Sequence, residues 1–156
     1  MTPQSAPNAT ASVDISADPQ TVYALVTDLS TLAALAEEAT EMVWKKGDSA
    51  EPGAVFTGRN RNGTKTWSTN CTVTRAVPGR EFSFDVRAMG IPIAHWSYQL
   101  EATEAGSRLT ESTWDRRPGW FSPLAGLLTG VSDRDTVNRQ HIETTLARLK
   151  ARAENP

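Results

Sequence analysis

The chain has 156 residues and a formal net charge of −2, from 16 basic and 18 acidic residues. This length suits one domain that buries a single hydrophobic core. Charges of both signs are interspersed along the chain, so no extended basic field is present to attract nucleic acid or an anionic membrane. We therefore expect one domain without a nucleic-acid partner, as a monomer or a homodimer.

The first residues lack the basic and apolar regions of a secretory signal, and no apolar run reaches membrane-spanning length. The single cysteine, Cys71, cannot form an intrachain disulfide, and we interpret it as a small buried residue in a reducing compartment. These features predict a cytoplasmic protein with no membrane span.

The N-terminal segment 1–10 is polar, and we expect it to be flexible and to precede a domain over 11–153. Within that domain, Val13 and Ile15 alternate with polar neighbours, which is the period of a half-buried strand. The sequence therefore predicts a first strand at about 11–16.

Two short helices are expected after this strand. Asp18 and Pro19 supply an N-cap and a proline at the first helical position, which predicts a helix that ends near Asp28. We expect Ser30 to cap a second helix that ends before Glu37.

From about Glu41 the apolar residues recur with a period of two, which is typical of strands. Turn pairs such as Asn62-Gly63 separate these segments, and no helical pattern interrupts them. Gly90 and Pro92 predict a looser break, because proline lacks the N–H that a ladder requires. The predicted strands lie at 41–47, 54–61, 65–76, 81–88, 93–103 and 107–115.

Beyond Pro118 the apolar period returns to 3.6 residues and continues to Leu149, which predicts one long C-terminal helix. Gly126 and Gly130 lie four positions apart in this segment. They allow either a close backbone approach or a local kink. The element order thus predicts an α+β fold, in which a bent antiparallel sheet of about seven strands wraps around the long helix.

One helix is too narrow to seal a strongly bent sheet, so we expect a cavity between them that binds an apolar ligand. For each aromatic side chain the alternative is ordinary core packing. A register shift of one residue would also move all inward-facing side chains of a strand to the outer face. The candidate ligand-binding residues are Phe56, Asn60, Trp67, Thr69, Cys71, Phe82, Phe84, Trp96, Tyr98, Glu111 and Thr113 on the sheet, and Leu128, Val131, Asp135 and Asn138 on the last helix.

The two histidines, His95 and His141, have no cysteine or carboxylate at metal-ligand spacing, so the sequence predicts no metal site. No nucleotide fingerprint is present, and we expect no cofactor. His95 precedes Trp96 and should point away from the inner face of the sheet. Glu111 and His141 are the candidates for acid–base catalysis.

Five segments carry a resemblance to a known family, and they are residues 16–28, 52–58, 82–86, 96–98 and 109–112. Together they resemble the START-like helix-grip superfamily (SRPBCC), in its polyketide cyclase/dehydrase and lipid-transport branch. The resemblance implies a helix-grip fold and an internal cavity for an apolar ligand, but it assigns no catalytic residue. The chain also departs from a common pattern of a tryptophan and a proline after the first helix.

Three functions are compatible with this reading. The first is carriage or sequestration of a lipid, aromatic or polyketide molecule, oriented by Glu111, Asn138 and Tyr98. The second is a polyketide cyclase/dehydratase-type enzyme, in which Glu111 or His141 assists aldol closure or dehydration in the same cavity. The third is a protein-interaction module with a filled core and an exposed apolar patch.

Overall fold

The computed structural model describes residues 5–156, and these residues form one antiparallel sheet and four helices. The seven strands follow the order β1-β7-β6-β5-β4-β3-β2. The predicted helix-grip architecture is confirmed. The elements are β1 (Ala9–Ile15), α1 (Pro19–Thr27), α2 (Leu29–Leu35), β2 (Ala39–Lys46), β3 (Val55–Asn62), β4 (Lys65–Val77), β5 (Glu81–Ala88), β6 (Ile91–Thr103), β7 (Gly106–Asp115), α3 (Ser122–Thr129) and α4 (Arg134–Glu154).

The first strand begins inside the segment that we expected to be flexible. Strand β1 starts at Ala9 and pairs along β7, and Asn8 Oδ1 accepts a hydrogen bond of 2.8 Å from the Asp115 backbone N–H. The Trp114 indole N–H also donates to the Ser5 carbonyl. The remaining part of the expected flexible segment, residues 1–4, lies outside the described residues.

One aspartate joins α1 to α2. The Asp28 carboxylate accepts a hydrogen bond of 3.4 Å from the Thr31 backbone N–H and caps α2, immediately after α1 ends. The predicted cap, Ser30, is wrong, because this residue lies inside α2 and its hydroxyl donates to Asp28 instead. The predicted cap of α1, Asp18, is confirmed by its contact with the Thr21 N–H.

The connection between β5 and β6 is tighter than predicted. Met89 and Gly90 both have positive φ angles, of 52° and 76°, as a two-residue primed hairpin turn requires. Strand β6 therefore begins at Ile91, and Pro92 lies inside it at a register irregularity. The looser break expected at this proline is wrong, because an irregular ladder position tolerates the missing N–H.

The C-terminal helical segment is broken. Gly130 has a φ of 74° and ends α3, and its N–H donates to the Gly126 carbonyl. Asp133 then caps α4 through the Thr136 N–H. The expectation of one continuous helix is wrong because glycine adopts the left-handed conformation that terminates helices. The long helix of the fold is α4, which packs against β1, β7, α1 and α2.

The main apolar core lies between the sheet and the helices α1, α2 and α4. Its side chains come from every layer, and Val26, Leu109 and Leu149 are fully buried. Register pairs Phe82 with Tyr98 and Phe84 with Trp96 across β5 and β6, so that these residues share one face of the sheet.

Gly106 should be the least replaceable glycine among the turns. A Cβ there would lie 2.4 Å from the Ile15 carbonyl oxygen and 2.6 Å from the Ala17 nitrogen. We expect Gly106→Ala to lower the free energy of unfolding by about 2–4 kcal/mol, measured by urea denaturation. Gly63→Ala is the matched control, since Gly63 also has positive φ but faces open space, and should cost about 1 kcal/mol. Equal losses in the two variants would contradict the steric argument.

Candidate ligand-binding cavity

A cavity of about 510 Å³ lies between the inner face of the sheet, α3 and the first half of α4. This volume falls in the range of small-molecule pockets. The cavity exists because α4 covers the β1–β7 side of the sheet, whereas α3, which ends at the Gly130 break, approaches β4 separately.

Most of the predicted ligand-binding residues line this cavity, and two do not. Phe82 is fully buried in the core, in contact with Phe56 and Phe84 at ring-centroid distances of 6.4 and 5.4 Å. Val131 is buried in the connection between α3 and α4, because the break changes the helical phase that placed it on the inner face. The predicted residues that line the cavity are Phe56, Asn60, Trp67, Thr69, Cys71, Phe84, Trp96, Tyr98, Glu111, Thr113, Leu128, Asp135 and Asn138.

Other lining residues were missed by the sequence interpretation. Glu38 and Arg134 are charged and would ordinarily be assigned to solvent. The helical period did contain a signal for Arg134, which is four residues before Asn138 and seven before His141 on the same helix. The missed apolar and polar residues include Met42, Met89, Ile93, Ala94, Arg117, Phe121, Ala125, Ile142 and Thr145.

A buried carboxyl group stands in the wall that β6 and β7 form. Register pairs Tyr98 with Glu111, and the Tyr98 hydroxyl donates a hydrogen bond of 2.7 Å to Glu111 Oε1. Burial raises the pKa of Glu111 to about 8, although this hydrogen bond opposes the shift. Burial also raises the pKa of Tyr98 well above its ordinary value. Both groups are therefore neutral at pH 7, and Glu111 holds a proton.

The same wall contains two polar atoms that could form further hydrogen bonds. Within residues 5–156, neither Glu111 Oε2 nor Thr113 Oγ1 has a hydrogen-bond partner, and both atoms are buried. The two residues lie two positions apart on β7 and so face the same side of the sheet. Since Oε1 accepts from Tyr98, the proton of Glu111 belongs on Oε2. The wall therefore offers two hydroxyl-type donors to an acceptor in the cavity.

A second polar cluster lies at the junction of α2, β2 and α4. Glu38 Oε1 accepts a hydrogen bond of 2.6 Å from Arg134 Nη1, and His141 Nδ1 lies 3.3 Å from the same oxygen. Burial opposes ionisation of Glu38, but the His141 hydrogen bond and the Arg134 charge lower its pKa overall. The second oxygen, Oε2, is buried and has no partner among the described residues.

Two other charged residues of the cavity are paired with each other, whereas Asp135 is exposed. Arg117 and Asp115 form a two-pronged ion pair with a closest distance of 2.7 Å. The two candidate histidines have different surroundings. His95 contacts Asp85 at 2.7 Å and the Trp114 ring and is absent from the described cavity lining, whereas His141 lines the cavity.

Some apolar side chains of the cavity lining are exposed to solvent. Met89, at the β5–β6 turn, and Leu128, on α3, both line the cavity and are exposed by 75% and 45%. Trp120, Leu124 and Leu127 extend this apolar surface over α3 and the segment before it. A ligand that enters beside α3 would therefore meet an apolar surface.

Neither a metal centre nor a membrane span is visible in the described part of the chain. Residues 5–156 contain no cluster of three or more histidine, cysteine or acidic side chains arranged to hold a metal ion. None of the helices in the same range combines the length and the apolar character needed to cross a bilayer.

The sequence matches the model of the family described as polyketide cyclase / dehydrase and lipid transport over residues 6–154. The chain belongs to this family. The resemblance inferred from the sequence is therefore confirmed, as is the fold that it implied. No functionally curated protein shows significant similarity to this polyketide cyclase/dehydrase family member.

Solved structures of similar fold include one described as Polyketide_cyc-like and others of lower sequence identity. Protein Cgl2372 of Corynebacterium glutamicum, described as Polyketide_cyc-like, is 27% identical with a TM-score of 0.62, over 94% of this chain and 91% of that one. Protein CV1439 of Chromobacterium violaceum is 16% identical with a TM-score of 0.68, over 94% and 97% of the two chains. The di-domain ARO/CYC StfQ from the steffimycin biosynthetic pathway is 14% identical with a TM-score of 0.71, over 93% of this chain and 49% of that one.

The raised pKa of Glu111 predicts a pH-dependent stability. The folded chain keeps this proton up to about pH 8, whereas the unfolded chain releases it near the ordinary value of 4.5. The contribution of Glu111 is therefore fully present below pH 4.5 and is lost as the pH rises towards 8. Relative to Glu111→Gln, the wild-type free energy of unfolding should fall by about 1.4 kcal/mol per pH unit in this interval.

Urea denaturation at several pH values measures this slope. Glu104→Gln is the control, because Glu104 is an exposed turn residue and its replacement should leave the slope unchanged. Parallel pH profiles of the wild type and Glu111→Gln would show that Glu111 is not protonated in the folded state.

Proposed function

We propose that this family member binds an apolar small molecule in the cavity and carries or sequesters it. The observation that carries the proposal is the cavity itself, which is largely apolar but contains buried polar atoms without partners in residues 5–156. Buried polar groups are normally hydrogen-bonded, so such atoms beside an open volume favour a ligand that completes their bonding. A lipid, an aromatic compound or a polyketide meets this requirement.

The apolar walls supply the affinity. Phe56, Phe84 and Trp96 line the cavity, and Phe56 and Phe84 are held edge to face at 5.1 Å. Apolar surface removed from water contributes about 25 cal/mol per Å². An apolar ligand that fills the cavity therefore gains most of its binding energy from these walls.

The polar groups orient the ligand. Glu111 and Thr113 present donors on the β7 wall, while Tyr98 fixes the Glu111 side chain. Asn138 lies on the opposing helix wall and supplies an amide. A ligand with an acceptor such as a carbonyl oxygen would be held at β7 in one orientation.

We further propose that the protein acts in the cytoplasm, as a monomer or a homodimer and without a nucleic-acid partner. Cys71 is a free, buried thiol, and burial raises its pKa to about 12, so the thiol is unreactive. Because this single cysteine forms no disulfide, the fold needs no oxidising compartment. The small net charge of −2 supports the absence of a nucleic-acid partner.

Native mass spectrometry of the purified protein, with organic extraction, tests the binding function directly. We expect a co-purifying apolar molecule, or binding of an apolar fluorescent dye such as Nile red when the protein is bare. Ala94→Phe should reduce dye affinity at least about tenfold, because Ala94 lines the cavity and a phenyl group there would occupy ligand space.

Ala102→Phe is the matched control, since Ala102 lies exposed on the same strand and outside the described cavity lining. Its dye affinity should equal that of the wild type. A bare wild-type protein that also fails to bind the dye would refute carriage.

A second candidate function is catalysis of polyketide cyclisation or dehydration. Two features favour it: burial raises the pKa of Glu111 to about 8, and His141 Nδ1 lies 3.3 Å from Glu38 Oε1 at the cavity wall. In this reaction His141 would remove a proton next to a ketone, the enolate would form a C–C bond at a second ketone, and Glu111 would protonate the new alkoxide. The ionised Glu111 would then take a second proton from the carbon that formed the bond, and the protonated His141 would give its proton to the leaving hydroxyl group. Water leaves, and both side chains return to their starting states. The ARO/CYC description of StfQ belongs to a protein of the same fold.

Incubation with a synthetic linear poly-β-ketone tests this candidate by the formation of a ring product that has lost water. For an enzyme, Glu111→Gln should lower the rate at least about 100-fold. Ile93→Ala, which alters only an apolar part of the lining, should retain turnover. A wild-type rate equal to that of the free substrate in buffer would exclude catalysis of this substrate and leave carriage standing.

The filled-core interaction module has less support, because the interior contains a cavity of about 510 Å³. Its exposed apolar side chains, such as Met89 and Leu128, also line that cavity. We interpret this surface as the ligand entrance.

A further inference from the structure

We infer that Glu38, together with Arg134 and His141, forms a second polar subsite that accepts a hydrogen bond from a neutral hydroxyl group of the ligand. This inference rests on the proposed binding function, because it assigns one wall of the same cavity. It adds a requirement on the ligand, which must carry an alcohol or a phenol.

The unsatisfied oxygen of Glu38 is the starting point. Arg134 and His141 both contact Oε1, whereas Oε2 is buried without a partner in the described chain. A carboxylate oxygen that is removed from water and left without a donor carries a desolvation penalty. A ligand that donates a hydrogen bond to Oε2 removes this penalty.

The surrounding structure holds Glu38 in this position. Its backbone carbonyl accepts a hydrogen bond of 2.8 Å from the Arg61 N–H, at the start of β2. Arg134 donates to both Glu38 and Thr129 Oγ1 and lies over the Trp67 ring, 5.9 Å from its centroid. Because the guanidinium group is fixed on three sides, the carboxylate that it binds has little freedom to turn towards solvent.

The charges of the cluster favour a neutral donor over an ion. Arg134 already compensates the negative charge of Glu38 at 2.6 Å, so a ligand cation would meet the guanidinium group as well as the carboxylate. A ligand anion would face the carboxylate oxygen itself. Asp115 and Arg117 compensate each other, as do Glu37 and Arg148, and the carboxylate of Asp135 is exposed to solvent. A hydroxyl group meets the single unsatisfied acceptor without adding a charge.

The two polar sites of the cavity have opposite hydrogen-bond character. Glu111 on β7 offers a donor, and Glu38 beside β2 offers an acceptor. Five strand-to-strand steps separate β7 from β2 in the sheet order, so these groups belong to different walls. The complementary ligand is an apolar scaffold with an acceptor at one end and a hydroxyl at the other.

A pair of matched probes tests the subsite without knowledge of the natural ligand. The probes are 2-naphthol and 2-methoxynaphthalene, which share one apolar body, but only 2-naphthol donates a hydrogen bond. The methyl ether is the more apolar probe and would bind at least equally well in a purely apolar cavity. We expect the wild type at pH 7 to bind 2-naphthol at least about tenfold more tightly, measured by calorimetry.

Glu38→Gln should abolish or reverse this preference. Arg134 requires an acceptor, so the amide oxygen of the new side chain would face it and the amide N–H₂ would replace Oε2 in the cavity. The cavity would then present a donor where it had presented an acceptor. Glu41→Gln is the control, since Glu41 is an exposed carboxylate on β2 and its replacement should leave the preference unchanged.

The outcomes separate the subsite from the proposed function. Equal binding of both probes to the wild type, which requires no variant to fold, would overturn the subsite and leave cavity binding intact. An unchanged preference in a folded Glu38→Gln variant would do the same. Failure of the wild type to bind either probe, or equal binding of both probes to Ala94→Phe and the wild type, would overturn binding in this cavity and the subsite with it.

Discussion

The antiparallel register of β5, β6 and β7 determines which side chains face the cavity. It places Phe84 beside Trp96, and Tyr98 between Phe82 and Glu111. Because successive residues of a strand point to opposite faces, a slip of one residue would move this whole set to the outer surface. Both the aromatic walls and the buried carboxyl group depend on this pairing, and the functional proposals depend on those walls.

The buried carboxyl groups show how the cavity departs from an ordinary core. Glu111 is accommodated by remaining neutral, with one hydrogen bond from Tyr98. Glu38 is accommodated by pairing with Arg134 while its second oxygen stays unsatisfied within residues 5–156. Burying a polar or charged pair costs desolvation free energy that an apolar pair of the same shape would not cost. Such costs are expected at sites retained for binding or catalysis.

The break at Gly130 connects the fold to ligand access. A continuous helix would have extended the α4 packing over the cavity, whereas α3 is held by a separate hydrogen bond of 2.9 Å from Asn62 Nδ2 to the Thr129 carbonyl. Both α3 and the Met89 turn expose apolar side chains that line the cavity.

The sequence by itself determined the order of the elements, the Asp18 cap, the strand alternation and hence most of the cavity lining, because these features depend on neighbouring residues and a local period. Only the tertiary structure decided that Phe82 packs in the core and Phe84 faces the cavity, since both share one face of a strand and differ only in what covers them. It also decided the contact between Glu38 and Arg134. These residues are separated by 96 positions, and no local pattern specifies a pair that forms only when α4 closes over the sheet.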